Sequence, residues 1–217
     1  MPQGRIIVYT LVYKDVLAIL KSKATVPSLI CIGAALVTMH GSSPVGVFLL
    51  CMPTYYFVAY SGMYDYKYAQ ERFYLSLPVS RSEWVLSRYL SCLLVAFATL
   101  LLAFAAGSAG SFLGLPVRAP EAVDTVLAIF ASCLTTGISL PFQFRLGYDK
   151  TRWINFIVMI VNSAAVSAAR EMMRPDNSIV TERVTSLIML SSIVAIALAV
   201  QAVSFAVSCA LFAHREF

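Results

Sequence analysis

The chain has 217 residues, 59% of them hydrophobic and only 12% charged, with a mean hydropathy of +0.80. A soluble domain runs at about 45–50% apolar and about 25% charged, so this balance defines a membrane protein. At roughly 20 apolar residues per crossing, the length allows about six passes with short loops and excludes a separate soluble catalytic domain.

The net charge of +5 and the pI near 9.0 raise the question of nucleic acid. In a membrane protein such an excess reports which side the loops face, and no nucleic-acid partner is expected. The five cysteines, Cys31, Cys51, Cys92, Cys133 and Cys209, all fall in apolar runs with no CxxC pair. They read as small core hydrophobes. No cleavable signal is expected at the N-terminus, because Lys14 and Asp15 interrupt the apolar stretch.

Residues 3–22 are striped at helical period. Gln3, Thr10, Lys14 and Lys21 share one side, and Val8, Val12, Val16 and Ile19 the other. This pattern predicts an amphipathic helix lying in the membrane interface. A spanning helix would carry Lys14 and Asp15 at its middle, at a cost of roughly 2.5–3.5 kcal/mol each.

Six spans are predicted to follow, at 24–40, 45–62, 86–114, 122–144, 153–169 and 184–213. The first two are short and are joined by the turn-rich His40-Gly41-Ser42-Ser43-Pro44. The third and last are long enough to tilt or to project from the bilayer. The fold class is therefore all-α and polytopic, six transmembrane helices behind an interfacial one, with residues 1–217 forming a single transmembrane domain.

Placing the N-terminus in the cytoplasm puts most of the 16 basic residues inside: Arg5, Lys14, Lys21 and Lys23; Lys67, Arg72, Arg81 and Arg88; Arg145, Lys150 and Arg152; and Arg215. Arg118, Arg170, Arg174 and Arg183 stay outside. Both termini are thus expected to be cytoplasmic. Small residues recur four apart at Gly110 and Gly114, Ser163 and Ser167, Ala164 and Ala168, and Ala202, Ala206 and Ala210. Such faces let helices approach closely and are read as packing surfaces, a dimer seam among them.

The predicted membrane interior excludes several functions. Between 25 and 62, 90 and 117, 125 and 144, 153 and 169, and 184 and 213 there is no Asp, Glu, Lys or Arg, whereas ion-coupled transport needs ionisable groups at that depth. The two histidines, His40 and His214, are expected at opposite ends of the fold, too few and too far apart for a metal-dependent membrane enzyme. No GxxxxGK[ST] loop cradles a nucleotide. Gln143, Asn162 and Gln201 read as interhelical hydrogen bonds rather than a substrate site. Energy for work across the membrane has to come from a partner.

The most informative polar stretch runs from Tyr64 to Arg88. Asp65, Lys67, Glu71 and Arg72 punctuate an aromatic helical run that Pro78 ends. Ser80-Arg81-Ser82-Glu83 is a capping box, and Val79 with Trp84 has the spacing of a hydrophobic staple. A short helix, a proline corner and a second helix entering the third span fit a docking element for a soluble partner. They also fit an amphipathic connector with its tyrosines in the interfacial belt.

Tyr64-Asp65-Tyr66-Lys67, the run from Glu71 to Arg81 containing Leu75-Ser76-Leu77-Pro78-Val79-Ser80-Arg81, and Val85-Leu86-Ser87-Arg88-Tyr89-Leu90 resemble the signature of small ABC-2 type transporter permeases. Pro141-Phe142 with Phe144-Arg145-Leu146-Gly147-Tyr148-Asp149-Lys150 is similar to the family's second inner loop. The resemblance implies a half-transporter. Two copies of the subunit, or one and a sister subunit, would work with separately encoded ABC ATPases that hold the ATP and Mg, with no cofactor in this chain.

The stretch 64–81 would be the cytoplasmic coupling loop and 145–152 the second cytoplasmic loop. By position, Glu71, Arg72, Leu75, Leu77, Pro78 and Arg81 would make the ATPase contact, and Gly147, Asp149 and Lys150 would support it. Tyr66 and Tyr68 depart from the family pattern, where more polar residues are expected. Similar permeases sit in the bacterial cell membrane and export amphipathic or antimicrobial peptides, lipids or drugs. A non-transporting membrane scaffold or immunity protein is the alternative, and a lipid-modifying membrane enzyme a more distant one.

Overall fold

A computed structural model describes residues 2–21, 25–39, 44–68, 80–172 and 181–213, and every element in them is helical. In chain order these are α1 (Pro2–Leu20), α2 (Thr25–Met39), α3 (Pro44–Lys67), α4 (Arg81–Phe112), α5 (Ala122–Leu146), α6 (Tyr148–Met172) and α7 (Thr181–Ala213). Five of them, α3 to α7, are long and apolar enough to cross a membrane. The sixth predicted span corresponds to α2, which is strongly apolar but has only 15 residues. At 1.5 Å per residue it reaches about 22 Å, short of a hydrocarbon layer about 30 Å thick.

α5 is the central helix, packed on α3, α4, α6 and α7, while α2 pairs mainly with α3, and α1 lies against α4 and α3. The core falls into two clusters, one at each end of the bundle. At the end that carries α1, Leu11, Phe57, Trp84, Val85, Phe144 and Phe212 meet. At the far end Ile32, Leu36, Val47, Leu50, Leu127 and Val166 pack together. Two hydrogen bonds mark these ends: Arg81 Nη1 donates to the Phe212 carbonyl at 3.3 Å, and Arg118 N donates to the Leu36 carbonyl at 3.5 Å.

Among the described side chains of α1, Leu11 and Asp15 are buried, while Val8, Val12 and Val16 are only half-buried. Two local expectations are revised. The predicted second loop, 145–152, shrinks to one non-helical residue, Gly147, between α5 and α6. Its φ of 75° and ψ of 174° lie in a region that is essentially glycine's alone.

The second revision concerns the pair Gly110 and Gly114. α4 ends at Phe112, so the two glycines do not share a helical seam. Gly114 instead makes a turn at φ 69°, and a Cβ at Gly110 would collide with Val117 Cγ2.

Polar side chains inside the bundle act as predicted for Asn162 and Gln201. Asn162 Nδ2 donates to the Ala131 carbonyl and to Thr135 Oγ1, both at 2.8 Å, and joins α6 to α5. Gln201 Nε2 donates to Thr136 Oγ1 at 2.5 Å and to the Cys133 carbonyl at 3.3 Å, joining α7 to α5. Cys51, Cys92 and Cys133 are buried, and Cys31 and Cys209 half-buried.

Candidate functional site

The α1 end gathers the polar chemistry of the bundle. α4 starts there because Ser80 caps it: Ser80 Oγ accepts from Glu83 N at 3.3 Å, and Ser80 N donates to Glu83 Oε2 at 2.9 Å. This reciprocal pair satisfies two backbone donors that would otherwise lack partners. One turn on, Trp84 is buried, and Arg88 follows on the same face.

Arg88 is only 4% exposed and lies between two carboxylates. Its Nη1 is 3.2 Å from Asp15 Oδ2 of α1, and its Nη2 pairs with Asp65 Oδ2 of α3. Lys14 Nζ adds a further contact to Asp15 Oδ1 at 3.1 Å. The Trp84 ring takes both cations, with Lys14 Nζ 5.3 Å and Arg88 Cζ 5.1 Å from its centroid. Two acids and two bases therefore neutralise one another against an aromatic face, as a buried charge requires. A recess of about 70 Å³, lined by Ala18, Ser61 and Tyr64 among others, opens beside the ions.

This cluster is a joint. Asp65 precedes, and Arg88 follows, the stretch 69–79 that holds most of the predicted docking residues. The bridge between them binds the last turn of α3 to the first turns of α4, and Asp15 adds α1 to the same unit.

Of the predicted site residues, Glu71, Arg72, Leu75, Leu77 and Pro78 lie outside the described residues, as does Val79 of the predicted staple. Arg81 is the first residue of α4, on the same end as Gly147, Asp149 and Lys150. Tyr66 brings α3 to that second element: its hydroxyl hydrogen-bonds Asp149, and its ring lies 6.2 Å from that of Tyr148. Asp149 and Lys150 are exposed at the start of α6. Thr151 Oγ1 reaches the Gly147 carbonyl at 2.7 Å and the Phe142 carbonyl at 3.2 Å, which holds the α5–α6 corner rigid.

The Asp15–Arg88–Asp65 cluster has no counterpart among the predicted site residues. In the sequence Asp15 counts against membrane insertion and Arg88 counts as a loop charge. The signal was available: Asp15 follows Leu11 by four residues, so burying one on a helix face brings the other with it, and a buried carboxylate needs a cation.

The geometry describes a multi-pass helical membrane protein whose charged groups join three helices at one end. Residues 10–213 match the ABC-2 family transporter proteins, and the chain belongs to that family. Membrane proteins of this family are transport components that work with ABC ATPases. Neither curated proteins nor solved structures gave a match.

Proposed function

We propose that the chain is the permease subunit of an ATP-driven ABC exporter in the bacterial cell membrane, moving an apolar or amphipathic substrate, such as a peptide, lipid or drug. The α1 end faces the cytoplasm, α2 completes a set of six crossings, α1 lies in the membrane interface, and both termini are inside. ATP and Mg belong to separate ATPase subunits. A second copy or a sister subunit completes the pathway, and the exposed small faces at Ala164 and Ala168 and at Ala202, Ala206 and Ala210 suit a close helix seam.

The observation that carries this reading, beside family membership, is the Arg88 joint. A push on the stretch 69–79 reaches α3 through Asp65 and α4 through Ser80, and Arg88 passes it to α1. Glu71, Arg72, Leu75, Leu77, Pro78 and Arg81 make the ATPase contact, and Gly147, Asp149 and Lys150 support it. The uncharged hydroxyls and amides between the helices suit a cargo that is itself apolar or amphipathic.

The test is co-expression with the neighbouring ATPase. Glu71→Ala or Pro78→Ala is expected to lower substrate-stimulated ATP hydrolysis while the subunit still inserts and co-purifies. Normal coupling in both variants removes the loop assignment. Failure of the wild-type chain to retain any ATPase leaves the scaffold or immunity reading in its place.

A further inference from the structure

In an α-helix the carbonyl of residue i accepts from the N–H of residue i+4. Pro141 stands inside α5 and has no N–H, so it offers nothing to the Gly137 carbonyl four residues before it. In a membrane span such a carbonyl has to be met by another side chain or by water. Here Ser204 of α7 meets it, its Oγ donating at 2.6 Å.

Proton counting then fixes the direction of a longer chain of hydrogen bonds. Ser204 has one hydroxyl proton and gives it to Gly137. Its oxygen, 2.5 Å from the Tyr89 hydroxyl of α4, must therefore accept. Tyr89 spends its own proton there, so Ser208, 2.8 Å away, donates to the Tyr89 oxygen. Ser208, Tyr89 and Ser204 thus form a one-way relay that ends on the carbonyl left open by the proline.

The surroundings allow this point to move. A groove of about 420 Å³ lies directly beside it, lined by Gly137, Pro141, Val200, Val203 and Val207. Gly137 lets the two helices close up, since a Cβ there would sit 3.1 Å from Val200 Cγ1. On the other side of Pro141, Thr151 Oγ1 binds the carbonyls of Phe142 and Gly147 and makes the end of α5 and the start of α6 one block.

We propose that Pro141 is a hinge in α5, and that Ser204 and Tyr89 are positioning residues that latch it by holding the Gly137 carbonyl. The block from Phe142 to Thr151 swings on this hinge into the neighbouring groove when the latch opens. The hinge stands on these contacts alone and does not depend on which ATPase or cargo the chain serves.

A double-mutant cycle on the purified chain in detergent tests it. Ser204→Ala is expected to lower Tm by about 2–4 °C, because the Gly137 carbonyl loses its donor. In a Pro141→Ala background the new N–H takes that carbonyl back, and Ser204→Ala then shifts Tm by no more than about 1 °C. Ser204→Thr keeps a hydroxyl donor and should stay near wild type. Equal losses from Ser204→Ala in the two backgrounds would overturn the latch.

Amide hydrogen exchange supplies a reading that a plain packing role would not move. Exchange across residues 138–146 should speed up in Ser204→Ala and slow down in Pro141→Ala. Unchanged exchange in both variants overturns the hinge. Should Ser204→Ala fail to fold, Tyr89→Phe, which removes the donor behind Ser204 and the acceptor of Ser208, takes its place in the same cycle: a larger Tm loss in the Pro141 background than in Pro141→Ala supports the latch, and equal losses in both backgrounds overturn it.

Discussion

The two ends of the bundle are held by different chemistry. At the α1 end, Arg88, Asp15, Asp65 and Lys14 join three helices through paired side-chain charges set against the Trp84 ring. At the far end the contact is backbone on backbone: the segment after α4 folds back so closely that a Cβ on Gly107 would meet Ala119 Cα at 2.6 Å. Of the ion pairs there, Arg118 with Glu121 is exposed, and Arg170 with Asp124 at 3.2 Å is more open to solvent than Arg88, Arg170 being 18% exposed. Side-chain tips can exchange partners while their helices shift, whereas interlocked backbones cannot. Alongside an apolar cluster at each end, the α1 end thus adds a buried charge cluster and the far end a close glycine-mediated backbone approach.

The sharpest way to break this contrast is Arg88→Ala. It takes the guanidinium away from the buried Asp15, which keeps Lys14, and from the half-buried Asp65, and a loss of about 3 kcal/mol is expected in thermal or denaturant unfolding. Arg170→Ala at the far end should cost less, roughly 1–3 kcal/mol. Equal losses would mean that the two ion pairs are equivalent and that charge does not distinguish the ends.

A second comparison uses glycine. Gly107→Ala presses a methyl group against the Ala119 backbone and should cost about 1–3 kcal/mol. Gly62→Ala, at the α1 end, runs into Gln143 Nε2, but that atom is the tip of a flexible side chain that can turn away. Its melting point should stay closer to wild type than that of Gly107→Ala, and the reverse order would contradict a rigid far end.

The smallest effect is expected from Ser80→Ala, which removes the cap of α4 at a cost of about 1 kcal/mol. Hydrogen exchange should rise in the first turn of α4 and leave the far end of the same helix unchanged. A rise along the whole helix would show that the cap and the Arg88 joint are one cooperative unit.

What the sequence made legible follows distance along the chain. The capping box at Ser80 and Glu83 spans three residues and stands as read. The long third span and the buried amides Asn162 and Gln201 also agree, since periodicity and the cost of an unpaired amide are local arguments. The Arg88 cluster was hidden because its partners lie in α1 and α3, and nothing local says which carboxylate meets which cation. Gly110 and Gly114 misled because spacing alone cannot tell a packing seam from the end of a helix. Gly147 was legible as a loop residue but not as the whole of the loop, because Tyr148 to Arg152 are as compatible with a helix start as with a turn. The docking residues Glu71 to Pro78 stand on the resemblance and on the stems that flank them.

Those stems bear on the entropy of recognition. Asp65 and Arg88 are 23 positions apart in the chain and in direct contact in the fold. Bringing the ends of such a segment together costs about 3 kcal/mol in chain entropy, and here that cost falls on folding. A partner that engages the stretch between them meets a segment already closed into a loop. Closing that segment then takes nothing from the energy of association, so a small contact area can support a specific and readily reversible contact.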